Sequence, residues 1–282
     1  MKRLQVIVLC VALLFGALQS AAADSKSTLP FNEFLCIKLR GNWSPNTCTI
    51  STNITNRANI NIGVGESILI SSNTIFTNYG VINNAGTIAD INGVSNLGAN
   101  FINKGIIRNT GTIASLNGGA ISNLPSGTIA NNGLIFSNFG SFIYNDGLLV
   151  NSNEIGFDGT FTNRAKVNND NASAIIRGGT GGSFNNESSG DVTNNGLIQS
   201  YYKINNNGTI LNNRIIGNNG QFNNKGKIYN KFNLINRGNF YNLGFVNNFG
   251  NLSNIGSFDN TGRFIGCINN IEPGIIYGVL AC

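Results

Sequence analysis

The sequence contains no histidine, only four prolines and one tryptophan, and charged residues make up only 11% of it. Without histidine, neither a Ser-His-Asp triad nor a His-ligated metal site can form. The basic residues are scattered singly among asparagines at a net charge of +6, which supports only a weak attraction to anionic glycans or cell surfaces and makes no nucleic-acid footprint. We therefore predict no catalytic residue, no cofactor, no metal and no nucleic-acid partner.

Long apolar runs are equally scarce, and the clearest one, residues 4–18, lies at the N-terminus. Lys2 and Arg3 precede this run and the small residues 21–23 follow it, as in a secretory signal peptide. The run is too short for a comfortable membrane span, which needs about 20 residues. We expect residues 1–23 to be removed, leaving a secreted protein, extracellular or at the cell surface, without an integral membrane segment.

The dominant feature of the sequence is a hexad, Asn-x-Gly-x-Φ-x, in which Φ is a large apolar residue. It repeats without a slip over residues 206–265, with Asn at the first position of every hexad and Ile, Leu, Val or Phe at the fifth. This spacing, with poor helix formers between the apolar residues, favours a short strand followed by a turn. We expect glycine to serve the turns through positive φ and stacked asparagines to form amide ladders along the axis.

The apolar positions also predict how many sides each coil has. At a spacing of 18 residues, apolar residues of the same type follow one another in each column. A 12-residue, two-sided coil would instead mix the residue types in one column. The predicted fold is therefore an all-β, single-stranded β-solenoid, three-sided, with about 18 residues per coil and about twelve coils spaced about 4.8 Å apart. The columns are Phe222, Phe240 and Phe258; Ile198, Ile216, Leu234 and Leu252; and Val192, Ile210, Ile228, Val246 and Phe264.

The domain organisation follows from the extent of the repeat. We predict a signal peptide (1–23), an N-terminal cap (24–49), a β-solenoid repeat domain (50–265) and a C-terminal cap (266–282). Longer steps between apolar positions at 90–101, 115–129 and 168–192 predict insertions that bulge from the coil as surface loops, above all the glycine-rich residues 177–183. Such loops often carry binding in solenoids.

Four cysteines remain once Cys10 leaves with the signal peptide. An even number in an oxidising compartment predicts disulfides. Four cysteines allow three pairings, and pairing across an elongated rod would require its two ends to meet, so we predict Cys36–Cys48 and Cys267–Cys282 as cap disulfides. A metal site is disfavoured because histidine is absent and neither pair has the C-x₂₋₄-C spacing of zinc ligands.

Segments such as NYGVINNAGTI, NTGTI, NNGLI and NNGTI resemble the Asn/Gly-rich repeats of bacterial and archaeal surface proteins and adhesins with β-solenoid passengers. The resemblance covers most of the chain after about residue 50. It is specific for architecture and implies a structural or adhesive role at the cell surface.

The functional prediction is a non-catalytic structural or adhesive protein. We expect it to bind extracellular glycans or surface proteins, or to self-associate, through solenoid faces or inserted loops.

The alternative is a secreted carbohydrate-active β-helix enzyme, a polysaccharide lyase or hydrolase, with Glu154, Asp158 and Asp170 as its carboxylates. An ice-binding face would need Thr-x-Thr repeated in successive coils, whereas triplets such as Thr160-Phe-Thr162 are isolated in this sequence. The candidate surface patch comprises Lys225, Tyr229, Lys231, Arg237, Tyr241 and Phe249.

Overall fold

The computed structural model describes residues 28–90, 98–116 and 118–278, so the predicted signal peptide lies outside the described residues. The chain forms an all-β parallel solenoid of about 11 turns, with three sheets and about 20 residues per turn. The predicted three-sided solenoid is thus confirmed. The predicted coil length of 18 residues holds toward the C-terminus, where Asn224 and Asn242 are 18 residues apart. Earlier coils vary between 18 and 25 residues.

The sides of the solenoid are three sheets, which we name A, B and C in the order in which the chain visits them. Sheet A contains β1 (Thr28–Leu29), β5 (Asn59–Ile62), β8 (Val81–Asn84), β11 (Ile106–Asn109), β14 (Thr128–Asn131), β17 (Leu148–Asn151), β20 (Lys166–Asn169), β23 (Asp191–Asn194), β26 (Thr209–Asn212), β29 (Lys227–Asn230), β32 (Phe245–Asn248) and β35 (Arg263–Ile265). Sheet B contains β2 (Gly41–Ser44), β3 (Thr47–Ile50), β6 (Ser67–Ile70), β9 (Thr87–Asp90), β12 (Thr112–Ser115), β15 (Leu134–Ser137), β18 (Glu154–Phe157), β21 (Ile175–Gly178), β24 (Leu197–Ser200), β27 (Ile215–Asn218), β30 (Asn233–Asn236), β33 (Asn251–Asn254) and β36 (Asn269–Asn270). Sheet C contains β4 (Ile54–Asn56), β7 (Ile75–Asn78), β10 (Asn100–Asn103), β13 (Ala120–Asn123), β16 (Phe142–Asn145), β19 (Thr160–Asn163), β22 (Ser183–Asn186), β25 (Lys203–Asn206), β28 (Gln221–Asn224), β31 (Asn239–Asn242), β34 (Ser257–Asn260) and β37 (Ile275–Gly278). We call the turns between successive sheets corners A–B, B–C and C–A.

The core is built from the second residue of each four-residue strand. In sheet C, Phe222, Phe240 and Phe258 pair in register, with ring centroids 4.6 and 4.9 Å apart. The two other predicted columns are likewise in register in sheets B and A. The residues that share a type at 18-residue spacing therefore do stack on one another. Side chains of similar size in one column give every coil the same internal width.

The fourth residue of most strands is an asparagine that also points inward and is buried. At corner C–A the asparagines form one continuous ladder, in which each Nδ2 donates to the Oδ1 of the next coil at 2.7–2.9 Å. Its members are Asn56, Asn78, Asn103, Asn123, Asn145, Asn163, Asn186, Asn206, Asn224, Asn242 and Asn260. The predicted amide ladders are confirmed, and they give each coil buried polar groups that hydrogen-bond to the next.

Two further ladders stand at the other corners. Corner A–B carries Asn84, Asn109, Asn131, Asn151, Asn169, Asn194, Asn212, Asn230 and Asn248. Corner B–C carries Asn218, Asn236, Asn254 and Asn270. Every amide donates toward the C-terminal end, so the first acceptor of each of these two ladders, Oδ1 of Asn84 and of Asn218, has no hydrogen-bond partner among the described residues.

The glycines of the hexads serve a different purpose from the predicted one. Within residues 206–265 no glycine has a positive φ, so the expectation that glycine supplies a left-handed turn there is wrong. A Cβ on Gly226 would collide with the carbonyl oxygen of Gly208, and one on Gly244 would collide with that of Gly226. Glycine is favoured because successive corners stack backbone directly on backbone.

The third predicted insertion, 168–192, consists of short expansions of the corners. Residues 177–183 were expected to form a glycine-rich surface loop, but Arg177 and Gly178 end strand β21 and Ser183 begins β22. That prediction is wrong, because a four-residue corner absorbs the extra glycines and Gly182 is buried. Corner A–B similarly takes five residues between β20 and β21. Residues 91–97, within the first expected insertion, lie outside the described residues.

The N-terminal cap covers the first coils with a short helix and a hairpin. Asn32 is the N-cap of helix α1 (Glu33–Lys38), and its side chain accepts a hydrogen bond from the backbone N–H of Leu35. Strands β2 and β3 pair in antiparallel fashion, and the ring of Phe31 lies 5.3 Å from that of Trp43. No helix among the described residues is long and apolar enough to span a membrane.

The Cys36–Cys48 disulfide joins helix α1 to strand β3 and confirms the first predicted pair. Both cysteines are fully buried. Gly41 packs against the bridge so closely that a Cβ there would lie 2.6 Å from Cys48 Sγ and 2.8 Å from Cys36 Sγ. The disulfide therefore ties helix α1 to β3, the first strand of sheet B that pairs in parallel with the following coil.

Replacing Cys36 and Cys48 together with alanine should lower the free energy of unfolding of the cap by about 2–4 kcal/mol, since a short-loop disulfide restricts the unfolded chain. Hydrogen exchange should accelerate over strands β2–β6 and remain unchanged over β25–β34. A reductant should produce the same change in the wild-type protein and none in the variant. Equal exchange in both proteins would contradict this role of the disulfide.

At the other end, parallel pairing continues beyond residue 265. Strand β36 pairs with β33, and β37 pairs with β34. The Asn248 amide donates to the backbone carbonyl of Cys267 at 2.7 Å, which ends the ladder of corner A–B. Cys267 is exposed and Cys282 lies outside the described residues, so the Cys267–Cys282 disulfide stays a prediction.

Candidate functional site

The six residues of the predicted surface patch lie on different sides of the rod. Tyr229 faces outward from sheet A, while Lys231 and Phe249 stand at corner A–B in successive coils. Arg237 lies at corner B–C. Lys231 and Phe249 are therefore neighbours at one corner, but Arg237 lies at the next corner, because position two of successive hexads falls on successive corners of the coil.

The remaining two residues of the patch, Lys225 and Tyr241, border one groove on the outside of sheet C. The groove consists of two adjoining cavities of about 480 and 280 Å³ that share Asn223 and Leu243. Lys225 lines the first cavity and Tyr241 the second. The sequence therefore identified two residues of this groove but grouped them with four residues that do not line it.

The floor of the groove is a second amide column, on the outside of the sheet. Asn205 Nδ2 donates to Asn185 Oδ1 at 2.7 Å, and Asn223 Nδ2 donates to Asn205 Oδ1 at 2.8 Å. All three side chains are half-buried. These bonds hold the outward amides in one orientation, so the amide side chains lose little conformational entropy when a ligand binds.

Tyr241 and Asp259 continue the column by one coil each. Asn223 pairs with Tyr241, and Tyr241 pairs with Asp259, in the register of sheet C. Successive strands are about 4.8 Å apart, so the groove offers one outward polar or aromatic side chain in every coil. Leu243, which is 57% exposed, adds an apolar surface at corner C–A.

Charges in the groove balance. Glu187 and Asp259 contribute negative charge, and Lys203 and Lys225 contribute positive charge. Asn207 Nδ2 also donates to Glu187 Oε2 at 3.4 Å on the rim. The groove is therefore polar but close to neutral, although the whole chain carries a net charge of +6.

No protein family model, no curated protein and no solved structure matches this chain. The candidate site consequently stands on the geometry of its own residues.

The carboxylates of the enzymatic alternative are spread over two corners. Glu154 begins strand β18, Asp158 follows that strand at corner B–C, and Asp170 lies at corner A–B, where it accepts a 3.3 Å hydrogen bond from Ser152. A four-residue strand separates the two corners by about 13 Å, more than the about 5–10 Å between the two carboxyl groups of glycosidases. Asp158 therefore lies apart from Asp170, and the structure does not bring all three residues into one groove, although Glu154 begins its strand next to the corner that holds Asp170.

A cationic cluster at corner C–A is the other notable grouping of charges. Lys104 Nζ donates to the Tyr79 hydroxyl at 2.9 Å, and Arg57 lies over the same ring at 4.9 Å. The hydrogen bond from Lys104 lowers the pKa of Tyr79. The cluster is solvated, with the Tyr79 side chain 43% exposed, and none of its three residues lines the groove on sheet C. No group of three or more potential metal ligands occurs among the residues that the structure describes.

Sequence reasoning missed Asn185, Asn205 and Asn223. Their signal was nevertheless present, since Asn205 and Asn223 are separated by the same 18 residues that sort the core. Asn185 is 20 residues before Asn205, because corner C–A of that coil has four residues, 187–190, instead of two. An outward column is therefore visible in the sequence only when the length of each corner is known.

Proposed function

We propose that this chain is a secreted structural or adhesive protein of the extracellular space or cell surface, which binds glycans or surface proteins through its lateral faces without catalysing a reaction. The observation that carries the proposal is the groove on sheet C, a preorganised polar surface on a rod whose coils are joined by buried amide ladders. A stack of this kind keeps an extended row of side chains in fixed spacing, which suits binding of an extended partner.

The disulfide of the N-terminal cap supports the extracellular location, because structural disulfides persist in oxidising compartments. A lateral binding mode is further supported by the cap itself, which covers the first coils and leaves the sides of the rod as the accessible repetitive surfaces. The position of Asp158 at a different corner from Asp170 favours a non-catalytic role over the polysaccharide lyase or hydrolase.

Labelled mature protein should bind saturably to cells of the producing organism or to their extracellular material. The triple variant Asn205→Ala/Asn223→Ala/Tyr241→Ala should lose most of this binding, since it removes three of the five outward side chains of the column. Its matched control on sheet A, Asn168→Ala/Tyr229→Ala/Asn247→Ala, replaces the same residue types at equivalent outward positions and should bind as the wild type does. Binding is measured by flow cytometry, and thermal unfolding verifies that both variants fold.

Equal binding by both variants would reject the groove on sheet C as the adhesive surface, and absence of binding by the wild-type protein would reject the adhesive role. The enzymatic alternative has its own test. Cleavage of a polysaccharide by the purified protein, lost in Glu154→Gln or Asp158→Asn, would overturn the non-catalytic proposal.

A further inference from the structure

The groove on sheet C has a repeat that a ligand can match. One outward side chain per coil follows the axis from Asn185 to Asp259, at the strand spacing of about 4.8 Å. This spacing is close to the length of one pyranose residue along an extended glycan. A polysaccharide lying parallel to the rod axis can therefore present the same groups to each successive coil.

The floor of the groove has the hydrogen-bonding capacity that sugar hydroxyls require. A primary amide offers two N–H donors and two acceptor lone pairs, and within the column Asn205 uses one donor and one lone pair. Each amide of the floor therefore retains capacity for both donating and accepting. A hydroxyl group also donates and accepts, so amides and hydroxyls are complementary without any net charge.

Apolar contact is available at the C-terminal end of the groove. Tyr241 presents a half-buried ring and Leu243 an exposed side chain, and both line the second cavity. The faces of a pyranose ring carry C–H groups that pack on such surfaces, while the Tyr241 hydroxyl remains a polar handle.

Balanced charge selects among glycans. Two carboxylates, Glu187 and Asp259, offset two ammonium groups, Lys203 and Lys225, along the same groove. A polyanionic chain would be repelled by the two carboxylates as well as attracted by the two lysines. A neutral chain is not repelled, and its hydroxyl groups can donate to the carboxylates and accept from the lysines.

We propose that the groove on sheet C binds a neutral polysaccharide, extended and parallel to the rod axis, with about one sugar residue per coil. This inference rests on the proposed adhesive function and names the ligand class of the same surface. The partner is identified by its chemistry, a linear uncharged chain of hydroxyl-bearing rings.

The test is a titration of the mature protein with neutral β-linked gluco- and chito-oligosaccharides of one to eight units, followed by calorimetry at low and high salt. Affinity should rise with length and level off at about five units, the number of coils from Asn185 to Asp259. It should change little with salt, because no net charge is neutralised. Tyr241→Ala and Asn205→Ala should each weaken binding at least about tenfold.

A matched control on sheet A distinguishes a loss of binding from a loss of folding. Tyr229→Ala removes the same residue type from an outward position and should leave oligosaccharide affinity within about twofold of wild type. Heparin serves as the polyanionic probe. Weak heparin binding that falls with salt and is insensitive to Tyr241→Ala would reflect the overall positive charge only, and it is compatible with the proposal when neutral chains bind as described.

Two outcomes would overturn the inference. One is the absence of binding to every neutral oligosaccharide while the protein still binds cells, which leaves the adhesive function intact and removes its ligand class. The other is binding of neutral chains with equal affinity by wild type and Tyr241→Ala/Asn205→Ala, which places the site elsewhere. Failure to bind both cells and glycans would reject the proposed function together with the inference.

Discussion

Replacing Phe240 with alanine should lower the free energy of unfolding by about 3–5 kcal/mol, the cost of deleting a fully buried aromatic ring. Phe240 is inaccessible to solvent and stacks between Phe222 and Phe258. The cavity left behind is bounded by two rings held by their own coils, so it cannot collapse easily. Denaturant unfolding of the mature protein measures the loss.

A one-dimensional stack also predicts where this loss appears. Because each coil contacts only its neighbours, hydrogen exchange should accelerate first in β28, β31 and β34 and leave the N-terminal coils protected. Phe249→Ala, which truncates a phenylalanine that is 70% exposed at corner A–B, is the control and should change stability by less than about 0.5 kcal/mol. A Phe240→Ala protein as stable as Phe249→Ala would show that the phenylalanine column does not hold the coils together.

Breaking the long asparagine ladder should cost about 2–5 kcal/mol in Asn206→Ala. The variant removes the acceptor of Asn186 Nδ2 and the donor to Asn224 Oδ1, each bond being 2.8 Å long. It also removes the 3.1 Å bond from Asn206 to the Lys227 carbonyl. Each buried group left without a partner costs about 1–3 kcal/mol. Denaturant unfolding again provides the measurement.

The neighbouring residue is a matched control for the ladder. Asn207→Ala makes the same chemical change at an exposed corner position and should cost less than about 0.5 kcal/mol. Asn206→Asp is nearly isosteric, but at neutral pH its carboxylate can donate nothing to Asn224, so its loss should be at least as large as that of the alanine variant. Similar stabilities for Asn206→Ala and Asn207→Ala would mean that the ladder adds no stability beyond the backbone sheets.

The contrast between Asn206 and Asn207 explains how an asparagine-rich sequence specifies which asparagine of a hexad points inward. Both residues look alike in the sequence, yet one is inaccessible inside corner C–A and the other is solvated. A slip of one residue would place a charged or aromatic corner residue such as Lys225 where Asn224 now bonds with Asn206 and Asn242. The buried amides therefore penalise any slip that is not a whole number of hexads.

Much of the fold could be predicted from the hexad. The three-sided coil, the columns of Phe, Ile, Leu and Val, the amide ladders and the Cys36–Cys48 bridge all followed from local spacing and were confirmed. The role of glycine was predicted wrongly because φ cannot be read from composition, and the cause of the glycine is a collision with the coil before it, as at Gly226. The glycine-rich stretch 177–183 was misinterpreted for a related reason, since a corner can absorb extra residues without leaving the coil.

The sequence by itself determined what points inward, because every hexad repeats the same demand for one apolar residue and one amide inside the coil. Only the tertiary structure decided which outward residues become neighbours. Asn185 meets Asn205 across 20 residues and Asn205 meets Asn223 across 18, so the alignment depends on the length of each corner. The groove on sheet C and its balanced charges therefore arise from stacking between coils, which no single hexad encodes.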